Sequence, residues 1–178
     1  MQHTLVAYVE DKPGVLNRVS SLFRRRAFNI ESLTVGHTET PGVSRMTIVV
    51  DSNQTNAEHV TAHLYKLVNV IQIKDLAEQP NVTRDLALIK VAADPEHRSE
   101  IMQLVEVYRS RIVDVTNESL IIEITGDTAK IDSFVEVLRP FGIHEMVRTG
   151  MVAMSRGAAM ELNGNGHYSN NGHKPNYA

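Results

Sequence analysis

The residues of this chain best placed to do chemistry are Asp11, Pro13, Gly14 and Val15, in the run Glu10-Asp11-Lys12-Pro13-Gly14-Val15. The chemistry they suggest is recognition of a small anion. Pro13 fixes φ and needs no N–H partner on the approach to a helix, and Gly14 has no Cβ to keep a ligand from the first helical amides. Those amides have no intrahelical acceptor, and with the positive end of the helix dipole they favour a carboxylate or a phosphate. Asp11 places the opposite charge nearby. An anion site beside a carboxylate suits a zwitterion. A free amino acid therefore fits better than a nucleotide, whose phosphates the carboxylate would repel.

Other reactive residues form no comparable constellation. His59 and His63 stand at i and i+4, the spacing of a metal pair, but Val60 breaks the zincin pattern and no third ligand is evident, so a solvated helix face explains them. His167 and His173 lie in a tail with no designed site. Arg24-Arg25-Arg26 falls at a helix C-terminus, where cations are favoured, and contact with an acidic partner surface is its second reading. Met151, Met154 and Met160 read as packing residues. The sequence has no Gly-x-Ser-x-Gly, no P-loop, no dinucleotide fingerprint and no paired carboxylates in a defined pocket. We expect no catalytic residues and no metal site.

The elements that must position the loop follow from hydrophobic period. Residues 4–9 form an apolar strand, and Val15, Leu16, Val19, Leu22 and Phe23 recur at helical spacing to about Arg26. Residues 29–38 and 44–51, joined through Glu39-Thr40-Pro41-Gly42, read as a hairpin. Residues 53–66 return to helical spacing, and 70–76 close as a strand, giving βαββαβ. A polar linker around Pro80-Asn81 precedes a second round: strand 86–91, helix 95–108, hairpin 112–116 and 120–125, a helix capped by Asp127, and strand 144–154. The chain is thus two βαββαβ units at a period of about 80 residues. The second unit has Asp94-Pro95-Glu96 where the first has Asp11-Lys12-Pro13-Gly14, so only the first is expected to bind a small ligand.

Composition narrows the function classes. The chain has 178 residues, 42% of them hydrophobic, enough for one medium or two small cores. With 18 Lys+Arg against 21 Asp+Glu the formal charge is −3, which points to neither nucleic acid nor an anionic membrane. There is no cysteine, which removes disulfides and thiolate sites and is consistent with a reducing compartment. With no long apolar run and a strand already under way by His3, a cytoplasmic protein is expected. From Asn163 the chain is Gly, Asn, Ser and His with little to bury, and a disordered tail is expected. An RNA-recognition module of this element order would want aromatics on its central strands, where residues 4–9 offer only Tyr8 and 44–50 none. An acylphosphatase-like enzyme would want an arginine in the first loop, which 10–14 lacks.

The segments Glu10-Asp11-Lys12-Pro13-Gly14-Val15-Leu16, Arg26-Ala27-Phe28-Asn29-Ile30-Glu31-Ser32-Leu33-Thr34-Val35 and Ser44-Arg45-Met46-Thr47-Ile48 resemble an ACT domain. With His63-Leu64-Tyr65-Lys66-Leu67-Val68, Ile112-Val113-Asp114-Val115-Thr116 and Gly150-Met151-Val152-Ala153-Met154-Ser155-Arg156-Gly157, the chain is similar to the small, regulatory subunits of acetolactate synthase (acetohydroxyacid synthase) over residues 1 to about 158. The resemblance implies an α+β fold of two tandem ferredoxin-like βαββαβ units, with antiparallel sheets and helices on one face. It implies an ACT effector-binding domain at 1–77, a linker at 78–83, a C-terminal domain at 84–158 and a tail at 159–178.

It further implies a subunit without an active site or cofactor of its own. Such a subunit binds the large catalytic subunit, which holds thiamine diphosphate, magnesium and FAD and condenses two pyruvates to 2-acetolactate in branched-chain amino-acid synthesis. It raises that subunit's activity and makes it sensitive to valine or another branched-chain amino acid. In the family the ACT domains form homodimers with the effector at the interface. Carried onto this chain, the effector residues are Asp11, Gly14 and Val15 of one protomer with Asn29 and Ile30 of the other. Some members have an amide where this chain has Asp11. The alternative expectation is a free-standing amino-acid-sensing ACT protein with a different partner, against which the match of the second unit argues.

Overall fold

A computed structural model describes residues 2–51, 57–77 and 79–157. The elements are β1 Gln2–Glu10, α1 Val15–Arg25, β2 Ile30–His37, β3 Val43–Asp51, α2 Ala57–Leu64 and β4 Val70–Asp75, then β5 Asn81–Ala92, α3 Arg98–Val107, β6 Arg111–Val115, β7 Ser119–Gly126, α4 Thr128–Leu138, β8 Ile143–Arg148 and β9 Val152–Ser155. The described residues divide into two compact units, one of those up to Val82 together with 153–157, the other Thr83–Val152. The expected α+β class with two antiparallel sheets is what the chain adopts.

In the first unit the sheet order is β2-β3-β1-β4, so β2 and β4 are its edges. Period-2 patterning turns Leu5, Ala7 and Val9 of β1 and Met46, Ile48 and Val50 of β3 to one face. Val15, Val19, Leu22 and Phe23 of α1 and Val60 and Leu64 of α2 cover that face. The other face is covered too. Val6, Tyr8, Val43 and Leu76 pack with Ala153, and Arg45 lies 5.7 Å over the Tyr8 ring and donates to the Ala153 carbonyl. That second layer is why β1 is a nearly continuous apolar run.

In the second unit the order is β6-β7-β5-β8. Ala87, Ile89 and Val91 with Leu120, Ile122 and Ile124 meet Ile101 and Val105 of α3 and Ile131, Phe134 and Leu138 of α4. Asp127 accepts from the Lys130 amide at 2.8 Å and caps α4 as expected.

Three boundaries differ from the sequence expectation. Residues 81–83, expected in the linker, already belong to β5; here Arg156 supplies donors, its amide donating to the Pro80 carbonyl at 2.8 Å and its Nε to that of Asn81 at 3.1 Å. The strand expected over 144–154 is broken at residues 149–151, where Gly150 takes a left-handed φ of 83°. Arg148 is held to Asp85 at 2.6 Å and Asp132 at 2.7 Å, and the Leu86 amide donates to Thr149 Oγ1 at 3.2 Å. Residues 153–155 then pack with the first unit. The helix expected from residue 95 starts at Arg98, because the Asp94 carboxylate holds the preceding turn. The expected tail at 159–178 and the start of the helix expected from residue 53 lie outside the described residues.

Candidate functional site

The loop between β1 and α1 is fixed from its flanks. The Asp11 amide donates to the Gly42 carbonyl of the β2–β3 turn at 2.8 Å, and the Lys12 amide to the Glu10 carbonyl at 3.0 Å. Gly14 is the N-cap of α1 with φ 83° and ψ −4°, a conformation an L side chain adopts only with strain. No side chain caps this helix. The Val15 amide makes a long turn bond to the Lys12 carbonyl at 3.3 Å, whereas among the described residues the amides of Gly14, Leu16 and Asn17 have no protein acceptor. Of the expected effector residues Gly14 and Val15, the first has an open amide and the second an engaged one; Leu16 and Asn17 add two open amides that were not singled out.

Asp11 is 43% exposed, and its Oδ2 lies 3.2 Å from Nδ1 of His37, the last residue of β2. Behind it stands a network spacing could not reveal. Asn69 Nδ2 donates to Glu10 Oε2 at 2.6 Å, Arg18 donates to Asn69 Oδ1 at 2.7 Å, and Lys12 Nζ sits 3.2 Å from the same Glu10 oxygen. The Asn69 hydrogen bond first, and then Lys12, hold the Glu10 carboxyl below its ordinary range. Glu10, Arg18 and Asn69 thereby lash the end of β1, the first turn of α1 and the α2–β4 turn into one support.

The matching corner of the second unit is built the other way. Asp94 Oδ1 accepts from the amides of His97 at 2.9 Å and Glu96 at 3.1 Å, so the chain's own carboxylate occupies the place a ligand would take. His97 Nδ1 closes on the same oxygen at 2.9 Å. The backbone bond from His97 first, and its ring second, lower the Asp94 pKa, and Asp94 in turn raises that of His97.

Within one protomer the five expected effector residues form two groups. Asp11, Gly14 and Val15 sit together beyond the Glu10 end of β1, which pairs with Val43, next to the His37 end of β2, which pairs with Ser44. Asn29 and Ile30 sit at the start of β2, where Ile30 pairs with Val50. Seven residue steps along the strand separate Ile30 from His37, roughly 23 Å at strand rise. Asn29 is exposed, and Ile30 is half-buried against the core. The expected residues therefore meet only if two copies of the edge strand come together.

The described part of the chain thus has the duplicated α+β architecture of the ACT-containing regulatory proteins, with one unit's helix amides open and the other's closed. Residues 5–72 match the family model described as AHAS small subunit-like ACT domain, and residues 84–157 that of the small subunit of acetolactate synthase. The chain is 52% identical over 157 residues to a probable acetolactate synthase small subunit of Archaeoglobus fulgidus, covering 88% of this chain and 98% of that protein. It is 42% identical to the acetolactate synthase small subunit of Bacillus subtilis, covering 93% and 96%. The crystal structure of the small subunit from Thermotoga maritima superposes with a TM-score of 0.82 at 44% identity, covering 89% of this chain and 99% of that one. The chain belongs to the acetolactate synthase small-subunit family, the regulatory subunits of that enzyme. Among the described residues no helix is long and apolar enough to cross a membrane.

Proposed function

We propose that this chain binds the catalytic subunit of acetolactate synthase, raises its rate of condensing pyruvate, and carries the site through which valine or another branched-chain amino acid inhibits it. The observation that carries the effector reading is the contrast between the two units: α1 keeps three first-turn amides open beside a carboxylate, whereas Asp94 closes the equivalent corner at α3. An amino-acid carboxylate would lie against the amides of Gly14, Leu16 and Asn17, where the helix dipole favours negative charge. Asp11 would take the ammonium.

The rest of the ligand needs a second protomer. β2 is a sheet edge, and antiparallel pairing of two β2 strands about a two-fold axis sets the start of one strand against the end of the other. Asn29 and Ile30 of one copy then approach the Asp11–Val15 loop of its partner. Asn29 can accept from the ammonium, and Ile30 can meet a branched side chain. The chain supplies no reacting group; thiamine diphosphate, magnesium and FAD belong to the catalytic subunit in this reading, and the setting is cytoplasmic.

Inhibition follows by linkage. A ligand that bridges two protomers biases the dimer toward the arrangement it binds more tightly, and only that difference in affinity reaches the partner enzyme. A coupling of about 1–3 kcal/mol is sufficient. The test is the rate of acetolactate formation by the catalytic subunit of the same organism, alone, with this chain, and with this chain plus valine. A rise on mixing and a fall on adding valine are expected. No rise would remove the partnership, and a rise without the fall would remove the valine site.

A further inference from the structure

Away from the effector loop, the first unit carries a recess of about 350 Å³ between the end of α1 and the end of α2, lined by Leu22, Arg25, Arg26, His63, Lys66 and Leu67. Its floor is apolar and its rim is cationic. Leu22 is buried and Leu67 half-buried against the main core, while Arg25, Arg26 and Lys66 are exposed. Among the described residues none of these three cations is paired with a carboxylate.

The helix dipole accounts for part of this arrangement and not for the whole. Arg24 and Arg25 fall in the last turn of α1, where a cation is favoured. Arg26 follows the helix, and Lys66 comes from a different element, yet both face the same recess. The chain as a whole carries a net charge of −3, so a run of cations here is not a reflection of a basic composition. Three unpaired like charges around an apolar floor repel one another until an anion arrives.

The segment around Lys66 and Leu67 also leaves apolar groups in water. Val68 is 85% exposed and Tyr65 51% exposed, and both belong to the stretch that supplies Lys66 and Leu67. Tyr65 is held in place, its hydroxyl accepting from the Ile73 amide at 3.0 Å and donating to the Ile73 carbonyl at 3.2 Å. Two exposed arginines over an apolar floor have the composition of a protein-binding patch, in which arginine is an enriched anchor. A phosphate-type site would instead enclose its anion among buried donors, and this recess is open with its donors on the rim.

We infer that the recess between α1 and α2 is a docking site for an acidic segment of the catalytic subunit, with carboxylates meeting Arg25, Arg26 and Lys66 and an apolar side chain of the same segment entering over Leu22 and Leu67. This rests on the proposed partnership and says which surface makes it. His63 on the wall fits the assignment. Its pKa is pushed down, first by burial and then by Arg26, Lys66 and His59, so at neutral pH it adds an uncharged ring beside the cations. That ring lies 6.2 Å from the Phe28 ring, which packs against the main core.

The experiment titrates the catalytic subunit with the full-length chain, wild type, Arg25→Gln/Lys66→Gln and Arg25→Glu/Lys66→Glu, reading acetolactate formation at low and at physiological salt. Circular dichroism and valine binding to the isolated chain report whether each variant keeps its fold. The docking site predicts that the concentration for half-maximal activation rises about tenfold in the reversed variant and less in the neutral one, that its salt dependence flattens, and that valine binding is unchanged. Wild-type activation with equal half-saturation in all three proteins would overturn the docking site and leave the partnership standing. Absence of wild-type activation would remove both. Inorganic phosphate that stabilises the wild type and not the reversed variant, with activation unaltered, would make the recess a small-anion site and overturn the inference.

Discussion

Asp11 Oδ2 and His37 Nδ1 lie 3.2 Å apart, so the carboxylate at the start of the β1–α1 loop is tied to the last residue of the sheet's edge strand. His37 is 84% exposed and gives nothing to the core; its contact is with Asp11. Any ammonium that uses Asp11 must compete with this ring. Replacing His37 by alanine is expected to tighten valine binding about two- to fivefold, the size of one exposed polar contact. Calorimetric titration of the isolated chain measures it, and weaker binding would assign His37 to the ligand.

Gly14 offers a cleaner backbone test. A Cβ built on it meets nothing within 4 Å, while its φ of +83° is unfavourable for any L residue. Gly14→Ala should therefore lower stability by about 1–2 kcal/mol through the backbone alone. It should weaken valine binding as well, because relaxing the strain turns the open amides away. Denaturant unfolding gives the first quantity. Full stability in this variant would mean that the loop does not need its left-handed residue.

In the second unit the pair of Asp94 and His97 sets a pH window. The folded pKa of Asp94 is depressed, so its contribution is complete above the unfolded carboxyl value and disappears as pH falls through the folded one. That of His97 is raised, so its contribution is complete below the unfolded imidazole value and disappears as pH rises through the folded one. Both operate together only in mildly acidic solution, above the carboxyl titration and below that of His97. Asp94→Asn should lower the unfolding midpoint most in that interval and least at the acid end, where the wild-type carboxyl is itself protonated. A pH-independent difference would contradict the pairing.

Much of the fold was written locally. Alternation in Leu5, Ala7, Val9 and in Met46, Ile48, Val50, and the helical repeats of Val15, Val19, Leu22 and of Ile131, Phe134, Leu138, are the residues that fill the two cores. The open end of α1 was also legible, because Pro13 and Gly14 act on their own backbone. What escaped was set by distant partners. Arg18, Asn69 and Glu10 are 51 and 59 residues apart and carry no motif. The early start of β5 depends on Arg156, which lies 75 residues beyond Asn81. The break at residues 149–151 sits inside a strand-like stretch whose clearest warning was Gly150. The separation of Asn29 and Ile30 from the loop is a matter of topology, visible only once β2 is known to be an edge.

The proposed effector site is shared between two copies of β2, and subunit complementation tests that sharing. Asp11→Ala and Asn29→Ala, each prepared alone, are titrated with valine, then mixed in equal amounts, allowed to exchange subunits and titrated again. A shared site predicts that each variant binds weakly alone. After random exchange, roughly one site in four should regain wild-type affinity, because the mixed dimer collects both lesions in one site and leaves the other intact. A mixture no better than its components would contradict the shared site and confine the effector to a single protomer.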